Sequence, residues 1–175
     1  MNKNLTPIET IYKGYKFRSR LEARWAVFFD AQGIKWEYEK EGYNLDGLWY
    51  LPDFWLPQVN MWAEVKPDTI SEADLIKCKA LAGASGKPCL LLEGVPDYKE
   101  YDSVEIWHWD ENDPLYGTVQ RGSVTGSTYA LVTRYLNSEH RFPANCYCEN
   151  GVPDSFGDDY IEAVNAARQA RFENR

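Results

Sequence analysis

The segment from Lys35 to Lys66 is the strongest constraint on the fold. Its residues are largely aromatic or β-branched, and turn formers interrupt it at Glu41-Gly42, Asp46-Gly47 and Pro57 to Asn60. No helical period runs through it, so it reads as three strands joined by tight turns. Apolar strands of this kind must be covered, and the flanking segments have to supply the cover.

Those flanks have helical character. Ile11 to Phe17 alternates like a short strand, and Ser19 then opens a pattern whose apolar positions Leu21, Trp25, Phe28 and Phe29 share one helical face, with Gly33 as its stop. Beyond the meander, Ser71 starts a second helix to about Ala82. Gly83 to Pro88 then leads into Cys89-Leu90-Leu91-Leu92, a short apolar run typical of a strand covered on both faces. A further strand is expected over Val104 to Trp109. Residues 110–157 are rich in Gly, Pro, Asn and Asp and lack periodicity, apart from a helical stretch around Thr128 to Leu136. Asp158 or Asp159 caps a last amphipathic helix to about Phe172, with Ile161, Val164, Ala167 and Ala170 available for packing. The expected fold class is α/β, a mixed central sheet flanked by helices. One domain over 1–175 is expected, with its core at 12–95, an irregular insertion or elaboration at 96–157 and a C-terminal helix at 158–173.

A chain of 175 residues can bury roughly two thirds of its unfolded surface and needs no disulfides to fold. Cys78, Cys89, Cys146 and Cys148 form no paired C-x2-C knuckles, so free thiols are expected rather than a zinc ribbon or a secreted framework. Cys146-x-Cys148 with His108 and His140 is too sparse to argue a metal site. No apolar run approaches the roughly 18 residues of a membrane span, and a cytoplasmic location is expected.

The net charge of -8 is unevenly spread. Residues 1–24 hold six Lys/Arg against two acids, residues 25–66 three against seven, and residues 67–175 ten against eighteen. A basic arm on an acidic body permits local phosphate contact but argues against strong non-specific binding to DNA, whose affinity comes mainly from neutralised phosphates.

Two charged clusters interrupt the aromatic strands, at Pro52-Asp53 and Glu64-Val65-Lys66. Strand side chains alternate, so Glu64 and Lys66 point to one face while Ala63 and Val65 point to the other. Burying such charges is costly unless they are paired or bind a metal. A simple Glu64–Lys66 ion pair, with Asp53 in a turn, would satisfy that requirement. So would a hydrolytic site in which two carboxylates hold a hard divalent ion and an ammonium orients, or helps deprotonate, a bound water.

The joint occurrence of Pro52-Asp53, Glu64-x-Lys66 and an upstream helical Glu22 resembles the PD-(D/E)xK, restriction-endonuclease-like nucleases. Phe17 to Ala26, Phe-Arg-Ser-Arg-Leu-Glu-Ala-Arg-Trp-Ala, is similar to a segment of phage and bacterial members. The resemblance covers residues 12–95. It implies a restriction-endonuclease-like core and a catalytic set of Glu22, Asp53, Glu64 and Lys66. In that set Asp53, Glu64 and the Val65 carbonyl hold Mg2+ or Mn2+, Lys66 positions the nucleophilic water, and Glu22 completes the metal or water shell. Ser19-x-x-Glu22 also has the form of a capping box, which gives Glu22 a purely structural alternative.

Arg18, Arg20 and Arg24 flank Glu22 and are the candidates for phosphate contact, because guanidinium groups grip phosphate oxygens bidentately. Lys77 and Lys79 read better as a solvated helix face. Trp49, Trp55 and Trp62 read as core rather than as base-stacking platforms. The expected function is therefore metal-dependent hydrolysis of a nucleic acid, with DNA as the expected substrate, no membrane partner and a homodimer left open. A non-enzymatic alternative is a phage-encoded binding or inhibitor protein that uses a nuclease-like fold to occupy a host defence protein or a nucleic acid.

Overall fold

A computed structural model describes residues 7–67, 69–97, 101–106, 119–124 and 158–172. The chain is mixed α/β. A six-stranded mixed sheet is covered on one face by helices α1 (Arg20–Ala31) and α3 (Asp158–Gln169) and on the other by α2 (Glu72–Ser85).

Before α1, the expected single strand over Ile11 to Phe17 is instead a hairpin of β1 (Thr10–Tyr12) and β2 (Tyr15–Phe17). Its two loop residues, Lys13 and Gly14, both have positive φ (48° and 83°), as the tight turn that matches strand twist requires. Lysine carries no sequence signal for that conformation, so the alternation alone looked continuous. Helix α1 starts from Ser19, whose side chain accepts the Glu22 N–H, and buries Trp25, Phe28 and Phe29 as its spacing predicts. It closes with Gly33 N–H on the Asp30 carbonyl and Ile34 N–H on the Phe29 carbonyl, a pairing that needs the left-handed Gly33 (φ 68°).

The segment 35–66 forms five strands where the spacing predicts three. They are β3 (Glu37–Tyr38), β4 (Tyr43–Leu45), β5 (Leu48–Tyr50), β6 (Phe54–Leu56) and β7 (Met61–Lys66). Strands β4 and β5 turn at Asp46-Gly47 (φ 50° and 92°) into a hairpin of their own outside the main sheet. Strands β3, β6 and β7 form an antiparallel meander inside it. That departure puts Trp49 on the hairpin surface, 68% exposed, whereas Trp62 on β7 is 1% exposed and Trp55 is half-buried. The core assignment therefore holds for Trp62 and fails for Trp49, which lies against Gly42.

Helix α2 carries β7 over to a parallel β8 (Cys89–Glu93), the connection that parallel neighbours need. It begins with a reciprocal capping box between Ser71 and Asp74 and runs through Gly83 to Ser85, three residues past the expected Ala82, where a left-handed Gly86 caps it. On β8, Leu90 and Leu92 join the core under α1 and α3, and Cys89 and Leu91 join the core under α2, so the strand is covered on both faces as its composition predicts.

The sheet continues through β9 (Tyr101–Ile106) and β10 (Val119–Val124), both antiparallel to their neighbours. The region after residue 95 is thus not wholly irregular, and β9 begins three residues before the expected Val104. The helix expected around Thr128 to Leu136, and Cys146 and Cys148, lie outside the described residues.

Helix α3 packs through Tyr160, Ala163, Val164 and Ala167, while Ile161 is exposed and Ala170 only half-buried. Tyr160 fixes that rotation: its ring meets Phe28 edge-on at 5.5 Å and its hydroxyl donates to the Asp97 carbonyl at 2.7 Å. Among the described residues no helix is long and apolar enough to cross a membrane.

Candidate active site

Sheet register builds the site. Phe54 pairs with Ala63 across β6 and β7, which sets Asp53, the residue before β6, opposite Glu64. The Asp53 N–H donates to Glu64 Oε2 at 3.3 Å, and the Val65 N–H donates to Asp53 Oδ2 at 2.8 Å. Both acids are buried, Asp53 at 3% exposure. Glu64 shares its face of β7 with Lys66, whose ammonium lies 2.9 Å from Glu64 Oε1 and 3.2 Å from Asp74 Oδ1 on α2. The end of β7 is further fixed by Gly94, whose N–H donates to the Lys66 carbonyl and whose carbonyl accepts the Trp25 indole N–H, both at 2.8 Å.

Glu22 comes in from the first turn of α1. Its Oε2 accepts the Arg18 N–H at 3.1 Å and the Tyr38 hydroxyl at 2.5 Å, and its Oε1 accepts the Ser19 hydroxyl at 2.7 Å. This differs from a reciprocal capping box, because the carboxylate reaches past Ser19 to the Arg18 amide. Its charge is felt at Asp53. The Arg18 guanidinium closes the arrangement, with NH2 on Asp53 Oδ1 and Nε on Glu39 Oε1 at 2.8 Å.

The electrostatics follow from burial and crowding. Burial pushes the Asp53 carboxyl well above its ordinary value, and the neighbouring charges of Glu64 and Glu22 push it further, against the Val65 N–H and Arg18. Burial opposes the charge of Lys66, but Glu64 and Asp74 outweigh it, so Lys66 stays an ammonium and acts as a donor. The Tyr50 hydroxyl is out of solvent beside Glu64 and finds no well-formed hydrogen bond among the described residues. Burial first, then the charge of Glu64, holds its proton on.

Acids that converge in a buried place leave a demand for positive charge, and hard oxygen donors fit a divalent ion held by one or two carboxylates and several waters. Here Arg18 and Lys66 meet that demand, and among the described residues no group of three or more His, Cys, Asp and Glu side chains has the spacing to hold an ion. Asp53 and Glu64 are the two carboxylates that could hold one, and Val65 meets Asp53 through its N–H.

Of the proposed phosphate-binding residues, Arg18 is committed to Asp53 and Glu39. Arg20 and Arg24 lie one helical turn apart on α1, both half-buried, with Arg24 Nε out of solvent and without a hydrogen-bond partner among the described residues. Tyr38, Glu39, Tyr50 and Asp74 were not found from the sequence. Their partners lie far away in the chain or across a turn, and only Ser71-x-x-Asp74, a visible capping pattern, offered a local signal. Comparison with protein-family models, curated proteins and solved structures finds no match for this chain, so the chemistry of the site rests on the residues themselves.

Proposed function

We propose that the protein is a metal-dependent nuclease with a restriction-endonuclease-like core that hydrolyses phosphodiester bonds in DNA. The observation that carries the reading is the mutual hydrogen bonding of Asp53, Glu64 and Val65 beside the Lys66 ammonium, at one buried end of β6 and β7. Asp53 and Glu64 would hold the ion, with the Val65 carbonyl as a further donor. When bound, Mg2+ or Mn2+ supplies a polarised phosphate and a more acidic water.

The chain's own residues do the rest. Glu64 and Asp74 fix the Lys66 ammonium, so it can orient a water and neutralise charge developing on phosphate oxygens. Glu22 holds the Arg18 amide and the Tyr38 hydroxyl at the rim of the site, from where its carboxylate would complete the metal or water shell. Arg20 and Arg24 offer guanidinium groups one helical turn apart for backbone phosphates.

The internal cations Arg18 and Lys66 favour one second reading, a binding protein that keeps the fold without turnover. The two separate in a cleavage assay. The nuclease is expected to cut plasmid DNA with Mg2+ or Mn2+, and to bind without efficient cutting in Ca2+, a larger ion that activates water poorly. Equal cutting in EDTA, or none in any ion, contradicts the nuclease.

A further inference from the structure

We propose that Arg18 is a latch on the site, an internal counter-ion for Asp53 that a divalent cation must displace, with Glu39 as the pivot that keeps the released guanidinium at the rim. The proposal rests on the nuclease reading and adds a regulatory element to it.

The geometry separates the two ends of the Arg18 side chain. Its Nε is held by Glu39 and its NH2 by Asp53, whose carboxyl group is buried. The Arg18 side chain itself is 55% exposed, so its NH2 end has a route outward into solvent. The backbone cannot follow, because the Arg18 N–H is held by Glu22 Oε2 and by the Tyr38 hydroxyl, each at 3.1 Å. Movement is therefore confined to the side chain.

Glu39 is built to stay in place. Its N–H donates to the Asp53 carbonyl at 2.9 Å, and its φ of 47° lies in the left-handed region that a glutamate seldom occupies. A residue held in that conformation beside a buried acid points to a positional requirement. It keeps a second carboxylate near Asp53 and outside its buried pocket.

A divalent cation and a guanidinium cannot share Asp53 Oδ1, since like charges repel strongly where water is scarce. Ion binding therefore requires the NH2 end to leave. The exposed rim is where a substrate phosphate would approach, and a guanidinium anchored on Glu39 would meet it there. The metal-free protein thereby avoids an unneutralised acid cluster, and Arg18 becomes available to substrate only when the ion is in place.

The test is a calorimetric titration of Mn2+ into the full chain without substrate, with thermal melting in EDTA as a second readout. Arg18→Ala is expected to bind Mn2+ about tenfold more tightly than wild type, the scale of one partly buried ion pair. It is also expected to melt lower in EDTA. Glu39→Gln, which leaves Asp53 untouched, is expected to weaken Mn2+ binding by a smaller factor, because the displaced guanidinium loses its anchor outside Asp53, and to have a smaller effect when added to Arg18→Ala. Arg18→Gln, which keeps a polar side chain without the charge, keeps the test open if Arg18→Ala fails to fold. Unchanged or weaker Mn2+ binding in both Arg18 variants overturns the latch and leaves the metal site standing, provided that Asp53→Asn abolishes the wild-type binding. If wild type binds no Mn2+ at all, the nuclease reading falls and the latch falls with it.

Discussion

The Asp53 N–H donates to the Glu64 carboxylate across the β6–β7 junction, so the spacing of these two acids is set by sheet register rather than by a loop. Eleven residues of chain separate them. The register fixed by Phe54 and Ala63 turns that separation into direct opposition, at a place with almost no water to screen their charges.

One consequence is a pH dependence centred on Asp53. A carboxyl whose folded pKa is raised binds its proton more tightly in the folded state. The stability it contributes is fully present below its ordinary value of 3.8 and is lost as pH rises through the folded value. Asp53→Asn removes that loss. In EDTA the variant is expected to melt higher than wild type at about pH 8, with the gap closing toward pH 4. A variant less stable than wild type across the whole range would show that Arg18 fully offsets the buried charge.

Asp74 has two duties, and Ser71 shares only one of them. Ser71→Ala removes the α2 cap and is expected to lower stability by about 1 kcal/mol with cleavage unchanged. Asp74→Asn weakens the same cap and also releases Lys66, so it is expected to lower stability comparably and to slow cleavage. Denaturant unfolding and initial rates on the two variants check this. Equal rates would show that Lys66 does not depend on Asp74 for its position.

Glu22 can be tested against its own hydrogen-bond partner. Glu22→Gln and Tyr38→Phe each remove part of the same contact, and each is expected to cost about 1 kcal/mol. Only Glu22→Gln is expected to reduce turnover strongly. If both variants cut at the wild-type rate, Glu22 is a structural anchor for Arg18 and Tyr38 and nothing more.

The two tryptophans provide a check on the packing. Trp62→Ala is expected to destabilise by about 3–5 kcal/mol, as removal of a fully buried ring does. Trp49→Ala, at the exposed hairpin, is expected to change stability by at most about 1 kcal/mol. Urea unfolding distinguishes them, and comparable losses would mean that the hairpin is packed more deeply.

Elements with a strong local period were legible in the sequence. Trp25, Phe28 and Phe29 declared one face of α1, and Cys89 to Leu92 declared a strand covered on both sides. The alternation around Glu64 also placed it with Lys66. What stayed hidden depends on backbone or distant partners. Lys13 adopts positive φ without any side-chain signature, so one strand became a hairpin. Nothing local announces that β4 and β5 pair with each other and leave the sheet, which is why Trp49 looked like core. The contact of Arg18 with Asp53 spans 35 residues and exists only once α1 and β6 are packed together.

The central claim is that Glu64 and Lys66 have different jobs at one hydrolytic site. It is tested most directly by the initial rate of DNA cleavage as a function of Mn2+ concentration for wild type, Glu64→Gln and Lys66→Ala. Glu64→Gln is expected to need far more Mn2+ for half-maximal rate and to reach a lower plateau, because a ligand charge is lost while the shape is kept. Lys66→Ala is expected to keep the half-maximal concentration and lose about 10²–10⁴-fold at the plateau. A Glu64→Gln curve that overlays wild type would contradict the ligand assignment and leave the binding-protein reading as the better one.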